Sequence, residues 1–174
     1  LKDGETQIAD SFLTASIVFT DLLGFTNWSR VLSPMVVLTT LDDLFRAFDE
    51  VSAELGVEKI QPISDTFMAV CELPVLNPEH TEAMALLVGR ILIFLEEFNG
   101  RNGTQLKMRV DLHSGPMVAG VIRTSTFVYD LWGETINMAN CNESTGLPDE
   151  IQISEALYEA LYGIYEENPR IKIE

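Results

Sequence analysis

Two stretches of helical apolar spacing, separated by a pair of strand-like runs, constrain this chain more than any other feature. Residues 34–53 place Val37, Leu38, Leu41, Leu44, Phe45 and Phe48 at intervals of three and four, as a helix with one buried stripe requires. Ser33-Pro34 suits its start, with proline in the first turn, where an N–H would have no partner. Residues 78–98 read as a second long helix, from Asn77-Pro78 to Asn99-Gly100. Between them, strands at about 57–63 and 66–72 enclose Ser64-Asp65. A strand at about 15–21 precedes the first helix, and strands at about 105–113 and 117–124, joined at His113-Ser114-Gly115-Pro116, follow the second. A helix at about 133–143, a short strand near 150–153 and a helix from Glu155 capped by Ser154 complete the series.

The order β-α-β-β-α-β-β-α-β-α predicts an α+β fold: a ferredoxin-like antiparallel sheet with the two long helices packed on one face. The other face is then open to a partner or ligand. At 174 residues the chain makes one domain with a proper core. Residues 1–13 are polar and read as a linker remnant, leaving 14–174 as the domain.

Two aspartates occupy matched settings. Asp21 ends the apolar run Ala15–Thr20 and opens Leu22-Leu23-Gly24-Phe25-Thr26; Asp65 ends Glu58–Ser64 and opens Thr66–Val70. Each is also an ordinary turn residue. If their strands are neighbours, however, the carboxylates converge, which is what a pair of divalent cations needs. Successive backbone N–H groups around Gly24 offer a cradle for phosphate oxygens.

With 11 Lys and Arg against 27 Asp and Glu, the net charge is −16, which argues against a nucleic-acid polymer or an anionic membrane surface as partner. A phosphate substrate would meet an unfavourable field unless cations intervene. No apolar run is long enough to span a bilayer, and Leu1–Glu5 lacks the shape of a signal peptide. Cys71 and Cys141 form no spacing motif and read as reduced thiols of a cytoplasmic domain. His80 and His113 lack metal-ligand spacing, and His113, in the expected hairpin corner, reads as structural.

Several ordered segments together resemble the class III adenylate and guanylate cyclase catalytic domain. Ile17–Thr26 is similar to that family's metal-binding opening and Lys59–Met68 to its second metal segment. Arg109–Gly120 is similar to its central hairpin, Tyr129–Ala139 to its nucleotide segment, and Ser144-Thr145-Gly146 closes the match. The resemblance covers about residues 12–160. It implies that Asp21, Asp65 and the backbone carbonyl of Leu22 hold two Mg²⁺ or Mn²⁺ ions, and that Leu23, Gly24, Phe25 and Thr26 line the triphosphate. Arg109 falls where the family contacts phosphate, its other reading being a solvated strand-edge charge. Gln61 and Asp130 fall on the two positions that set the base, where Asp130 favours ATP over GTP and the Gln61 amide suits either purine. The resemblance further implies a head-to-tail homodimer, or a heterodimer with another cyclase domain, and a regulatory domain upstream in a longer parent, membrane-bound or not.

The chain also departs from the pattern. The family sets an Asn and an Arg one helical turn apart; Asn137 is in place, but Cys141 stands at the Arg position. That arginine stabilises transition-state charge, and a neutral thiol cannot replace it. Pro62, Ser64 and Asp111 stand where Thr, Gly and Gly are usual, and a C-terminal lysine segment has no counterpart before Glu174, as if the C-terminus were truncated. Two functions follow as expectations: a nucleotidyl cyclase, or a degenerate module of the same fold that binds nucleotide, regulates or heterodimerises.

Overall fold

The computed structural model describes the backbone of residues 7–63, 66–73, 75–123, 127–143, 146–162 and 171–173; the side chains at 7–8, 61–63, 121–123, 127–130, 140–143 and 171–173 are outside that description. The elements are β1 (Gln7–Leu23), α1 (Phe25–Ser29), α2 (Pro34–Leu55), β2 (Glu58–Ile63), β3 (Thr66–Cys71), α3 (His80–Asn102), β4 (Lys107–Arg123), β5 (Phe127–Trp132), α4 (Glu134–Glu143), β6 (Ile151–Ile153), α5 (Glu155–Leu161) and β7 (Ile171–Ile173). The strands form one sheet in the order β2-β3-β1-β4-β6-β7, with β5 also paired to β4. The α+β class holds. Pairing is antiparallel from β2 to β5, while β6 joins β4, and β7 joins β6, in parallel.

Alternation along the strands builds two cores. Val18 and Leu22 of β1, with Met108, Val110 and Leu112 of β4, face the long helices and pack on Leu44, Phe48, Leu87 and Ile91; Leu157 and Leu161 of α5 join them. Phe48 meets Phe67 edge-on at 5.5 Å and Phe94 at 6.3 Å between ring centroids. Such aromatic pairs add directional energy to burial. On the other face Ile17, Phe19, Ile60, Val70, Met117, Leu131 and Ala139 form a smaller cluster. Because Ala139 lies on α4, this second face is partly covered rather than wholly open.

Local signals placed the helix starts well. The Ser33 hydroxyl accepts from the Val36 N–H, with Pro34 in the first turn, and the Ser154 hydroxyl accepts from the Leu157 N–H. α3 runs past Asn99-Gly100 to Asn102 and ends at Gly103, whose φ of +63° suits a left-handed cap. The strand expected at about 15–21 starts at Gln7, so the stretch read as linker is strand from there on. Its polar residues pair with Met117–Ile122 of β4, a partner distant in sequence.

The hairpin expected at His113–Pro116 does not exist. β4 is continuous through these residues, and His113 sits in mid-strand opposite Ile17. Gly115 and Pro116 have other reasons to be there. A Cβ on Gly115 would lie 2.8 Å from Thr135 Oγ1 of α4, so glycine permits the helix to approach. Pro116 faces the bulge between Phe12 and Ala15, where the β1 ladder is already interrupted and a missing N–H costs little. That bulge shifts the alternation, so Phe12 and Ala15 both reach the second face.

Candidate active site

Asp21 follows Ile17 and Phe19 on the second face of β1, just beyond the apolar cluster. On one side it is in register with Arg109 of β4, and on the other with Thr66 of β3. The Arg109 Nη2 donates to Asp21 Oδ2 at 2.8 Å, with the two side chains 22% and 20% exposed. The reading of Arg109 as a solvated strand-edge charge is therefore overturned: it is a half-buried cation tied to the first candidate metal ligand.

Asp65 and Ser64 lie outside the described residues. Their flanks are described: Ile63 pairs with Thr66, so the connection between β2 and β3 has the two residues expected. The neighbour of Asp65 thus stands directly opposite Asp21. Two residues of β2, Gln61 and Pro62, face one of β3 between the pairs Ile60↔Met68 and Ile63↔Thr66, so Pro62 again falls at a bulge.

Beyond Asp21 the two ladders differ. Pairing with β4 continues through Leu23↔Lys107, whereas pairing with β3 ends at Asp21↔Thr66. Among the described residues, Leu22 and Leu23 have no ladder partner on the β3 side. Gly24, at φ +78°, then turns the chain into α1, where the N–H groups of Asn27 and Trp28 both donate to its carbonyl. The segment read as a phosphate cradle is therefore a helical turn in which Thr26 is exposed and Phe25 is buried against Trp28. The first N–H groups of such a turn have no carbonyl partner within the helix.

The donors present suit the implied metal. A carboxylate, a strand-edge carbonyl and a second Asp one residue from Thr66 are hard oxygen ligands of the kind Mg²⁺ and Mn²⁺ take. Among the described residues no three His, Cys, Asp or Glu side chains gather as a metal site, so the pair of aspartates depends on Asp65.

Sequence neighbours of the other candidates belong to the second-face cluster. Ile60 precedes Gln61, Leu131 follows Asp130, and Ala139 lies two residues after Asn137; all three are buried in that cluster. The side chains of Gln61, Asp130 and Cys141 lie outside the described ones. Asn137 is exposed on α4, whose first turn is fixed by Thr135 Oγ1 donating to the Pro116 carbonyl at 2.6 Å. Asp111, where glycine is usual in the resembling family, is 1% exposed on the same strand face as Arg109 and opposite Phe19. His113, next on that face, is held below its ordinary pKa by burial. A groove of about 760 Å³ lies on the opposite, helix-covered face between α3, β6 and α5, and its lining among the described residues includes none of the candidates. What the sequence missed is the partnership of Asp21 with Arg109 and Thr66, which only the strand order reveals.

The family described as "Adenylate and Guanylate cyclase catalytic domain" matches residues 8–174. An adenylate cyclase of Mycobacterium tuberculosis is 36% identical over 162 residues, covering 92% of this chain and 37% of the relative. A receptor-type guanylate cyclase of Caenorhabditis elegans is 37% identical over 160 residues, covering 91% of this chain and 12% of the receptor. The chain thus spans well under half the length of these relatives. Among solved structures, the guanylate cyclase domain of a Catenaria anguillulae protein in complex with GTP superposes with a TM-score of 0.84 at 28% identity, covering 88% of this chain and 85% of that one.

Proposed function

The chain belongs to the adenylate and guanylate cyclase catalytic domain family, and from that premise we propose that it converts a purine nucleoside triphosphate, ATP in preference to GTP, into the 3′,5′-cyclic nucleotide and pyrophosphate. The observation that carries this reading is the register that sets Asp21 between Arg109 and Thr66, the neighbour of Asp65, on the less covered face of the sheet. Asp21, Asp65 and the Leu22 carbonyl would hold two Mg²⁺ or Mn²⁺ ions. Bound there, the cations supply Lewis-acid activation of the ribose 3′-hydroxyl and neutralise triphosphate charge. The hydroxyl oxygen bonds to the α-phosphorus, its proton leaves, and the bond to pyrophosphate breaks.

The chain's own groups orient that reaction. The Arg109 guanidinium offers several N–H donors in a fixed fork to phosphate oxygens. Backbone N–H groups from Leu23 to Thr26 face the same charge. Asp130 accepts from the adenine amino group, the Gln61 amide serves either purine, and the Asn137 amide reaches the nucleotide from α4. The metal half and the base half would meet across a head-to-tail dimer, or across a heterodimer.

A second reading has one specific observation behind it: Cys141 one turn after Asn137 removes the positive charge expected there. Losing one such transition-state donor typically costs two to three powers of ten in rate, roughly. The chain would then be a weak or silent module unless another cyclase domain supplies the arginine. Purified protein assayed with ATP and with GTP in the presence of Mn²⁺, beside Cys141→Arg, separates the readings. Activity in the natural chain supports the enzyme. Activity only in Cys141→Arg, higher by about a hundredfold or more, supports the degenerate module. Product from neither rejects cyclisation by the homodimer.

A further inference from the structure

One end of the helix layer carries both an apolar projection and an apolar groove. α2 starts at Pro34, yet its first fully buried residue is Leu44. Val37 and Leu41 lean on the core, whereas Val31, Met35 and Leu38 are 82%, 67% and 63% exposed, with Val36 exposed beside them. Large apolar side chains gathered in water mark a surface that something covers. Residues 22–41 contain no Asp or Glu and a single charge, Arg30, although the chain carries a net −16.

The groove of about 760 Å³ lies across α3 from this projection. Among the described residues, Gly89, Leu92 and Ile93 line it from α3, Ile151 from β6 and Leu161 from α5, with the exposed Glu96 at its rim. A Cβ on Gly89 would meet nothing within 4 Å, and Ile93 is 60% exposed, so the α3 side opens outward. α2 and α3 run antiparallel, since Glu54 pairs with Arg90 while Phe48 meets Phe94. The start of α2 therefore lies at the end of α3 where Asn99 and Lys107 complete the groove. α3 separates the two features, because α2 packs on β2 and α5 on β4.

We propose that these are the two halves of a self-complementary interface, in which the 31–38 projection of one copy of this chain fills the α3–α5 groove of a second copy. A two-fold axis along α3 exchanges the sides of the helix layer but keeps its ends. Both projections then meet both grooves at once, and the contact closes. Charge selects the same partner: an acid-free projection carrying Arg30 enters a groove rimmed by Glu96, whereas elsewhere the excess of acid repels a second copy. The contact uses the helix layer and leaves the second face uncovered, so it does not depend on the cyclase reading.

Sedimentation equilibrium of the purified chain, without nucleotide or metal, is the test. The chain should self-associate, and Leu38→Glu and Ile93→Glu should each weaken association at least about thirtyfold, since each removes an apolar anchor twice per dimer. Both residues are more than half exposed, so the melting temperature should stay as it was. Arg30→Glu and Glu96→Arg should each weaken association roughly three- to tenfold, and together restore it, because the pair re-forms with its signs exchanged. Glu96→Arg alone also lowers the net negative charge, so a general charge effect would strengthen association where this contact weakens it. A chain that stays monomeric at every concentration overturns the proposal. A dimer that Leu38→Glu and Ile93→Glu leave intact overturns it too, and places the contact on another surface.

Discussion

The two faces of the β1–β4 pair are made by the same strands, one residue out of step, and they differ in almost every physical respect. Val18 and Leu22 point into a core closed by α2, α3 and α5, nearly inaccessible and apolar apart from the buried hydroxyls of Ser16 and Thr20 on the same face of β1. Ile17 and Phe19 point the other way, into a smaller cluster covered by α4, and the next residue on that face is Asp21. Where three helices cover the sheet, a charge would lose its water and be costly. Where one short helix covers it, the Arg109–Asp21 pair keeps about a fifth of its side-chain surface in water. Stability and chemistry are thus separated by strand alternation alone.

That separation can be broken by a pair of substitutions. Asp21→Asn is expected to lower cyclase activity, measured with Mn²⁺, by roughly a thousandfold. Its cost in stability should stay within about 1.5–3 kcal/mol, the range for a hydrogen bond to a charged group. Phe48→Ala should do the reverse, removing about 3–5 kcal/mol of unfolding free energy in urea. The protein that remains folded should keep its Mn²⁺ affinity. If Asp21→Asn unfolds the chain, or Phe48→Ala abolishes Mn²⁺ binding without unfolding it, the two faces are not independent.

The same contrast explains what could be read from the sequence. Ser33-Pro34 and Ser154 marked helix starts correctly because capping is local: a hydroxyl meets an N–H three residues away. The long helices were legible from their apolar stripes. α1 was not, since five residues are too few for a period to show. β5 escaped because its partner, Val118–Arg123, was itself assigned to a hairpin that the structure lacks. Gly115 and Pro116 were misread as a turn, since the sequence shows neither Thr135 nor the β1 bulge. Asp21 stood out through its strand-end setting and Arg109 through the family resemblance, each singly. Their contact spans 88 residues and depends on β4, rather than a nearer strand, lying beside β1.

A smaller change probes how α4 is seated on the second face. In Gly115→Ala the new methyl meets Thr135 Oγ1, the atom that ties α4 to the Pro116 carbonyl. Either α4 moves outward or that hydrogen bond breaks, and overpacking of this sort costs about 1–3 kcal/mol. Because Asn137 and Cys141 are carried on α4, nucleotide affinity should weaken while Mn²⁺ binding at Asp21 stays as it was. Equal losses of both would mean that the base half and the metal half respond as one unit.

The smallest effect compares one histidine from each face. His80 bonds Ser16 Oγ through Nδ1 at 2.7 Å, and a hydroxyl can donate to a neutral ring or accept from a charged one. Burial lowers the His80 pKa, while the Glu72 carboxylate acts against that shift. Burial also lowers the His113 pKa, and its buried Nδ1 has no hydrogen-bond partner among the described residues. A histidine whose folded pKa lies below its unfolded value contributes stability fully at pH above the unfolded value, about 6.5, and loses it as pH falls through the folded one. The melting temperature should therefore fall between pH 7.5 and 5.5. His113→Phe should flatten that fall more than His80→Asn does, because the Ser16 hydroxyl and the Glu72 carboxylate both favour protonated His80, whereas burial alone acts on the His113 pKa among the described residues. An equal or larger flattening by His80→Asn would place the acid-sensitive group on the helix-covered face instead.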